Sequence, residues 1–475
     1  MGFKLSTSSA ASVSGAAPPL SSESWGAEFR ALLKLGWPLI VAQLAQISLF
    51  TTDTVMLGWL GPKYLAAAAL ANALFVAIQL FGIGVVGAVT PMVSQALGAN
   101  DPRSVRRTVR QGVWVAILLG VLLFPVVWNL GPIYHALGED PELTAMAEVF
   151  VHYAVWLIFP AFLIIVFRSF LAAHGNTRVI FLITVAGVIV NAVADYALIF
   201  GNWGFPRLEI AGAGIATTIV NFVMLAIMVA YTVTHRRFRP YHIFQNFFRP
   251  DWPRFWEMLR IGIPIGLMQL AEVLLFTSAS LLQGWISQDA VAAHAIALQL
   301  ASISFMVPLG ISQAATVRVG LALGAGNHDG IRKAGWAALI LTLAFMASTA
   351  ILFLLAPHSL VHLFLNPDVP ANVAAANLAV SYLLVAGFFQ LFDGGQVTMG
   401  AVLRGMSDTT MPLIIAILGY WAIGFPVAYV FAFPLGLKGV GIWCGLAAGL
   451  AAVALVLTIR FALRERLGLT EKTVI

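Results

Sequence analysis

The sequence predicts an all-α membrane protein: twelve transmembrane helices in two six-helix lobes related by a pseudo-twofold axis along the membrane normal. Three observations predict it. The chain has 475 residues, of which 60% are hydrophobic and only 10% charged, too little charge to clothe a soluble domain of that length. Apolar runs near 20 residues, the length of a bilayer-spanning helix and not the ten-residue alternation of an outer-membrane barrel, recur almost to the C-terminus. The second half also repeats the first.

Residues 1–28 are rich in Ser, Ala, Gly and Pro and read as a disordered cytoplasmic tail, with no apolar stretch after Lys4 to make a signal peptide. Met1-Gly2-Phe-Lys-Leu-Ser6 fits the myristoylation pattern, but so loose a pattern matches by chance. Spans are expected near 33–60, 65–93, 111–131, 146–168, 179–201 and 211–234, making a first lobe over 29–234. A second lobe over 259–466 holds spans near 260–285, 292–319, 334–356, 375–400, 411–433 and 438–461. The tail 467–475 comes last. Pro38, Pro125, Pro160, Pro264, Pro308 and Pro426 fall inside spans as kink positions. Between the lobes, 235–258 is basic and aromatic, as expected of a linker lying along inner headgroups. The single cysteine, Cys444, excludes an intrachain disulfide.

Charge orients the bundle. An even number of spans puts both termini on one side, and of the 26 Lys and Arg only Lys63, Arg207 and Lys438 fall in the opposite loops, leaving 23 with the termini. Such asymmetry places both termini in the cytoplasm of a multi-pass protein of a bacterial-type inner (plasma) membrane. The net charge of +6 then reflects topology, and no nucleic-acid partner is implied.

The repeat carries the two-lobe reading. A shift of 226 residues lays Gly36, Pro38, Gln43 and Leu44 on Gly262, Pro264, Gln269 and Leu270 without a gap, and later Gly58-Trp59 on Gly284-Trp285, Gly84 on Gly310, and Leu97-Gly98-Ala99 on Leu323-Gly324-Ala325. Six spans per copy give both copies the same orientation, the architecture of a transporter whose lobes face each other.

Four acids fall inside spans: Asp53, Asp195, Glu272 and Asp393. Glu272 is 12 residues from Arg260 and 13 from Trp285, roughly 18 Å each way at helical rise, which is the bilayer midplane. With no intramembrane Lys or Arg near in sequence, each acid needs a proton, a metal cation, a cationic substrate or a polar neighbour. Gln43, Gln46, Phe50 and Asp53 share one helical face, as do Gln269, Glu272 and Phe276; Gln390, Asp393 and Gln396 form a third polar stripe. Oxygen-only stripes suit Na⁺ or H⁺ and no transition-metal cage. The repeat lays Glu272 on Gln46 and Asp53 on Ala279, so the acids are not duplicated and the lobes divide the work. For Asp195, beside Asn191, a structural role stands level with a functional one. His294, opening a span, is expected as a capping or interfacial residue.

Several stretches together resemble the multidrug and toxic compound extrusion (MATE) transporters, and among them the NorM-like branch. They are Asp53-Thr-Val-Met-Leu-Gly58, Pro91-Met-Val-Ser-Gln95-Ala-Leu-Gly98-Ala99 with Arg106, Arg107, Gln111 and Gly112, Glu272, Ala292-Ala-His294, and Gln390-Leu-Phe-Asp393-Gly-Gly-Gln396 leading to Leu403-Arg-Gly405. The resemblance implies a Na⁺- or H⁺-driven antiporter expelling small organic cations, acting as a monomer in the bilayer with no cofactor beyond the coupling ion. It also implies that Glu272 and Asp393 handle that ion, Na⁺ if the ion is a metal, and that Asp53 serves coupling or substrate binding. Phe389 departs from relatives that carry a tyrosine there, which removes an oxygen ligand.

Two other classes compete. A lipid-linked or polysaccharide-precursor flippase of the same superfold is expected to line its cavity with Arg and Lys, and no such lining is expected here. An intramembrane enzyme or receptor would not need two repeated lobes. Gly82-Ile-Gly84-Val-Val-Gly87 satisfies a dinucleotide-binding pattern but has no preceding strand, so close helix packing accounts for it.

Overall fold

A computed structural model describes residues 24–366 and 369–471, and every regular element among them is helical. Twelve spans run in order: α1 Trp25–Leu60, α2 Pro62–Gly98, α3 Pro102–Trp128, α4 Pro141–Ala173, α5 Thr177–Phe200, α6 Ile210–Thr234, α7 Trp252–Gly284, α8 Gln288–Gly324, α9 His328–Leu355, α10 Val373–Gly405, α11 Thr410–Ala432 and α12 Lys438–Ala462. All twelve expected spans are present. Their linker-side ends, that of α6 apart, lie further out than hydropathy places them, because charged turns such as Arg103–Arg110 and Arg254–Arg260 stay helical after the apolar run has ended.

The starts are chemically marked. Ser24, Asp101, Asp140, Ser287 and Asn327 each accept a backbone N–H of the first turn, and prolines at 62, 102 and 141 stand where a helix has no use for the missing N–H. Three spans are irregular inside: α2 breaks at Gly87–Ala88, α4 tightens to a 3-10 turn at Val155–Leu157, and α11 contains a π-helical turn at Leu418–Gly424.

Two expected boundaries are corrected. The tail was expected to run to residue 28, but Trp25–Glu28 is already the first turn of α1, stabilised by the Ser24 cap; residues 1–23, with the myristoylation pattern, lie outside the described residues, as do 472–475. The linker is shorter than 235–258, since α7 begins at Trp252. Nor does it only lie along headgroups. Phe238, Tyr241 and Ile243 are buried, Trp114 donates to the Phe247 carbonyl at 3.0 Å, and Arg107 grips Asp251 through Nε–Oδ2 at 2.5 Å and Nη2–Oδ1 at 3.0 Å. That guanidinium holds the Asp251 carboxyl below the usual carboxylate range. The linker is thereby fastened to the first lobe.

His174, just past α4, completes the fastening. Its Nδ1 faces the Phe170 carbonyl and its Nε2 the Tyr241 hydroxyl, both at 2.8 Å. A carbonyl only accepts, so Nδ1 carries the proton and Nε2 accepts from Tyr241. Burial pushes the imidazole down to about 4. A folded value below the unfolded one of 6.5 means that this contribution is complete above about pH 6.5 and fades as pH falls toward 4. His174→Gln should therefore flatten the fall of the thermal midpoint between pH 6.5 and 4; an unchanged slope in purified protein would contradict a neutral buried imidazole.

The pseudo-twofold is visible in the contacts. A Cβ on Gly98 would overlap the Leu321 backbone, and one on Gly324 would overlap the Gln95 backbone. Gly98 and Gln95 stand 226 residues before Gly324 and Leu321, so each contact is the repeat image of the other. Gly84 against Gly266 and Gly310 against Ile40 form a second such pair, which confirms close packing as the role of Gly84. These approaches join α1 and α2 of one lobe to α8 and α7 of the other, and all lie in the half of the bundle that holds the linker. There Glu28 and Arg318 form a buried cross-lobe ion pair at 2.6 Å, and Gln95 donates to the Gly405 carbonyl and to Ser407, each at 2.9 Å. The lobes are thus clasped at the linker end.

Candidate coupling and substrate site

Above the clasp lies a cavity of about 450 Å³ with walls from α2, α4, α7, α8 and α10. Gln269, Glu272 and Phe276, three and four residues apart, put one face of α7 on it, and Gln396 faces them from α10. Gln396 Nε2 donates to Glu272 Oε1 at 3.1 Å, and its Oε1 accepts from the Tyr420 hydroxyl at 2.8 Å. With the amide oxygen engaged by Tyr420, its NH₂ is directed to the carboxylate. Tyr420 reaches the site from the π-helical turn, so a ring hydroxyl is present although Phe389 offers none. Phe389 is instead a buried wall, edge-on to Phe276 and Trp443.

Asp393 and Gln390 sit behind this surface and do not line the cavity. Ser304 and Thr349 donate to Gln390 Oε1, while Gln390 Nε2, Asp393 Oδ1 and Gln269 Oε1 are buried without a partner among the described residues. Unpaired buried oxygens beside a carboxylate are costly unless something donates to them, and a proton or a small oxygen-loving cation meets that need.

The first lobe holds a separate cluster. Asn191 Nδ2 donates to Asp53 Oδ1 at 2.8 Å and also to Asp195 Oδ2, and Thr217 donates to Asp53 Oδ2 at 2.8 Å. Asn191 and Asp195 are fully enclosed, and Asp195 Oδ1 and Asn191 Oδ1 have no partner among the described residues. Two carboxyls bridged by one amide cannot both stay charged without a proton or cation between them. Thr217 was missed by sequence reasoning; its signal is the polar Thr217-Thr218 pair and Asn221 within an apolar run. Gln46 and Phe50 share the Asp53 helix but are exposed and outside the cavity, while Gln43 turns to Arg168.

Two expectations fail here. Arg168 and Arg404, counted with the inner loops, both line the cavity, so Glu272 does have a basic neighbour in Arg404 and the wall is not free of arginine. Their helices run on to Ala173 and Gly405, which keeps both side chains inside the bundle. His294 is neither cap nor interfacial: it is buried within α8, its Nε2 3.2 Å from Ser280 Oγ and its ring beside Trp443.

The MatE family model matches residues 38–197 and 264–430, one copy in each half. The chain belongs to the MatE family. It is a multi-pass membrane transporter and not an enzyme. A probable multidrug resistance protein NorM of Rhizobium meliloti (strain 1021) is 46% identical over 93% of this chain and 94% of its own length. Its counterpart in Mesorhizobium japonicum is 43% identical over 94% and 96%. Among solved structures, a MATE protein in complex with MaL6 aligns with this MATE chain at TM-score 0.85 and 20% identity, over 94% of this chain and 98% of that one. An outward-facing multidrug resistance MATE family transporter of the MOP superfamily gives 0.81 and 21%, over 94% and 97%. At such identities these structures speak for the fold alone.

Proposed function

We propose that this MATE transporter is a cation-coupled antiporter that expels organic cationic drugs or toxins by alternating access, driven by Na⁺ or H⁺. One observation carries the reading: Glu272, a carboxylate in the middle of a span, faces a drug-sized cavity between two lobes that are clasped at the linker end. A drug ammonium and a coupling ion can exchange there because each is stabilised by the same negative charge. Asp393, behind Glu272, and the Asp53–Asn191–Asp195 cluster give each lobe a place for a coupling ion. With 23 of 26 basic residues on the linker side, that side is cytoplasmic and the membrane is the bacterial inner membrane. A single copy contains both lobes and suffices as a monomer.

Arg168 and Arg404 favour one element of the flippase reading, an anionic group on the cargo, but a cavity of about 450 Å³ fits a drug better than a lipid-linked sugar chain.

Everted membrane vesicles with ethidium supplied outside, and with a Na⁺ gradient and a pH gradient imposed separately, test the reading. Uptake should track one of the gradients and collapse when it is dissipated. Uptake indifferent to both would end the antiport proposal.

A further inference from the structure

A second groove lies apart from the central cavity, on the first lobe. It measures about 620 Å³ and is lined by one face of α6, from Phe222 to Thr234, and by Phe244 of the linker. Ala226 and Ala230, one turn apart on that face, keep it deep, since any larger side chain there would fill it. The opposite wall is fixed as well. The Phe244 ring lies 6.4 Å from that of Phe167 on α4 and 5.8 Å from that of Phe247, whose carbonyl accepts from Trp114. The groove is therefore built between a span and a linker that the fold holds against it. From Phe222 to Thr234 it runs twelve residues, roughly 18 Å along the helix, and one leaflet of a hydrocarbon core of about 30 Å is of similar depth. An acyl chain fits a groove of that length and lining.

The inner end of the groove is basic. α6 ends at Thr234, and the chain turns at once: the Phe238 and Arg239 amides donate to the His235 carbonyl at 2.9 and 3.0 Å, which keeps Arg236 and Arg239 beside the end of the helix. The start of α5 joins them, because Asn176 donates to the Tyr231 hydroxyl at 2.8 Å and Arg178 follows two residues later. Arg178, Arg236 and Arg239 are all exposed, and none of their guanidinium groups has a hydrogen bond or an ion pair among the described residues. No acid falls between Glu209 and Asp251 in the sequence, and Asp251 is taken by Arg107. Unopposed arginines at the inner interface, at the foot of an apolar groove, match a ligand that is anionic at one end and hydrocarbon at the other. A free phosphate leaves the groove unused, and a zwitterionic headgroup brings an ammonium among the arginines.

We propose that this groove and the arginines at its foot bind one anionic phospholipid of the inner leaflet, with an acyl chain against Ala226 and Ala230 and its phosphate at Arg178, Arg236 and Arg239. The bound lipid joins α6 to the linker that leads to the second lobe. The site is separate from the cavity and independent of what the transporter exports.

Native mass spectrometry of the delipidated full chain tests the site, with dioleoyl phosphatidylglycerol and dioleoyl phosphatidylcholine as probes that share their acyl chains. At equal concentration wild type should retain the phosphatidylglycerol at least fivefold better. Arg236→Gln combined with Arg239→Gln should bring that ratio close to one. Ala226→Phe combined with Ala230→Phe should fill the groove and lower phosphatidylglycerol retention at least fivefold with every arginine in place. All four positions are exposed, so neither double variant disturbs the core. Phosphatidylglycerol should also raise the thermal midpoint of wild type, and raise that of neither variant above its own lipid-free value. Equal retention of the two lipids by wild type overturns the site. So does phosphatidylglycerol retention that survives filling of the groove, which would make the preference one of general surface charge, or a rise in midpoint that both variants share with wild type.

Discussion

Glu272→Gln should abolish ion-driven efflux, a loss of at least tenfold, and flatten the dependence of drug affinity on the coupling ion while leaving the fold intact. The substitution is nearly isosteric and keeps a hydrogen-bonding end toward Gln396, whose orientation is set from the other side by Tyr420. The charge alone is removed. In an exchanger the coupling ion must weaken drug binding by the factor with which drug weakens ion binding, because both describe one linkage. Without the carboxylate at the shared site that factor approaches one. Asp393→Asn should have the same sign, since its buried oxygen without a partner lies behind the same surface. Asp53→Asn should impair efflux through the first-lobe cluster, which lies outside the cavity. The measurement is drug affinity titrated against Na⁺ and against pH in purified wild type and variants. Wild-type ion-linked drug release in Glu272→Gln would make the midplane acid a structural one.

Sequence pattern revealed the features that depend on composition and repetition. Runs of apolar residues set the twelve spans, and the shift of 226 residues gave the pseudo-twofold under which the contacts of Gly98 with Leu321 and of Gly324 with Gln95 are images of each other. An acid such as Glu272 is conspicuous because nothing near it in sequence neutralises it. Side-chain direction near span ends was illegible. Arg168 and Arg404 look like loop charges because hydropathy marks where a run ends, not where the helix does or which way its last turn faces. Tyr420 was hidden for a different reason: a π turn inserts an extra residue, which rotates the rest of the helix by about 100° and defeats a stripe drawn at regular spacing. Glu28 was lost in a stretch whose composition reads as tail, although its partner, Arg318, is 290 residues away.

That partner makes Glu28 the residue with the second large expected effect. Arg318 donates through Nε to Glu28 Oε1 at 2.9 Å and through Nη2 to Oε2 at 2.6 Å, a two-pronged pair in which both side chains are at most 4% exposed. It joins the first turn of α1 to the last two turns of α8, across the lobes and at the linker end. An opening on that side must part the two charges and return them to water. In the clasped state Glu28→Gln leaves the Arg318 guanidinium without its carboxylate, a loss that typically costs about 3–5 kcal/mol for a buried pair. In the opposite state, where Arg318 is hydrated, little of that cost remains. The difference should shift the conformational balance toward the linker-open form by a factor of roughly 10²–10³. Spin labels at positions 59 and 285, at the far ends of α1 and α7, should report shorter distances in Glu28→Gln than in wild type as the outer cleft closes. Adding Arg318→Gln removes the guanidinium charge and should restore part of the wild-type distribution, which a general loss of stability would not do. Identical distance distributions in wild type and Glu28→Gln would show that the pair fastens a helix end and does not latch the lobes.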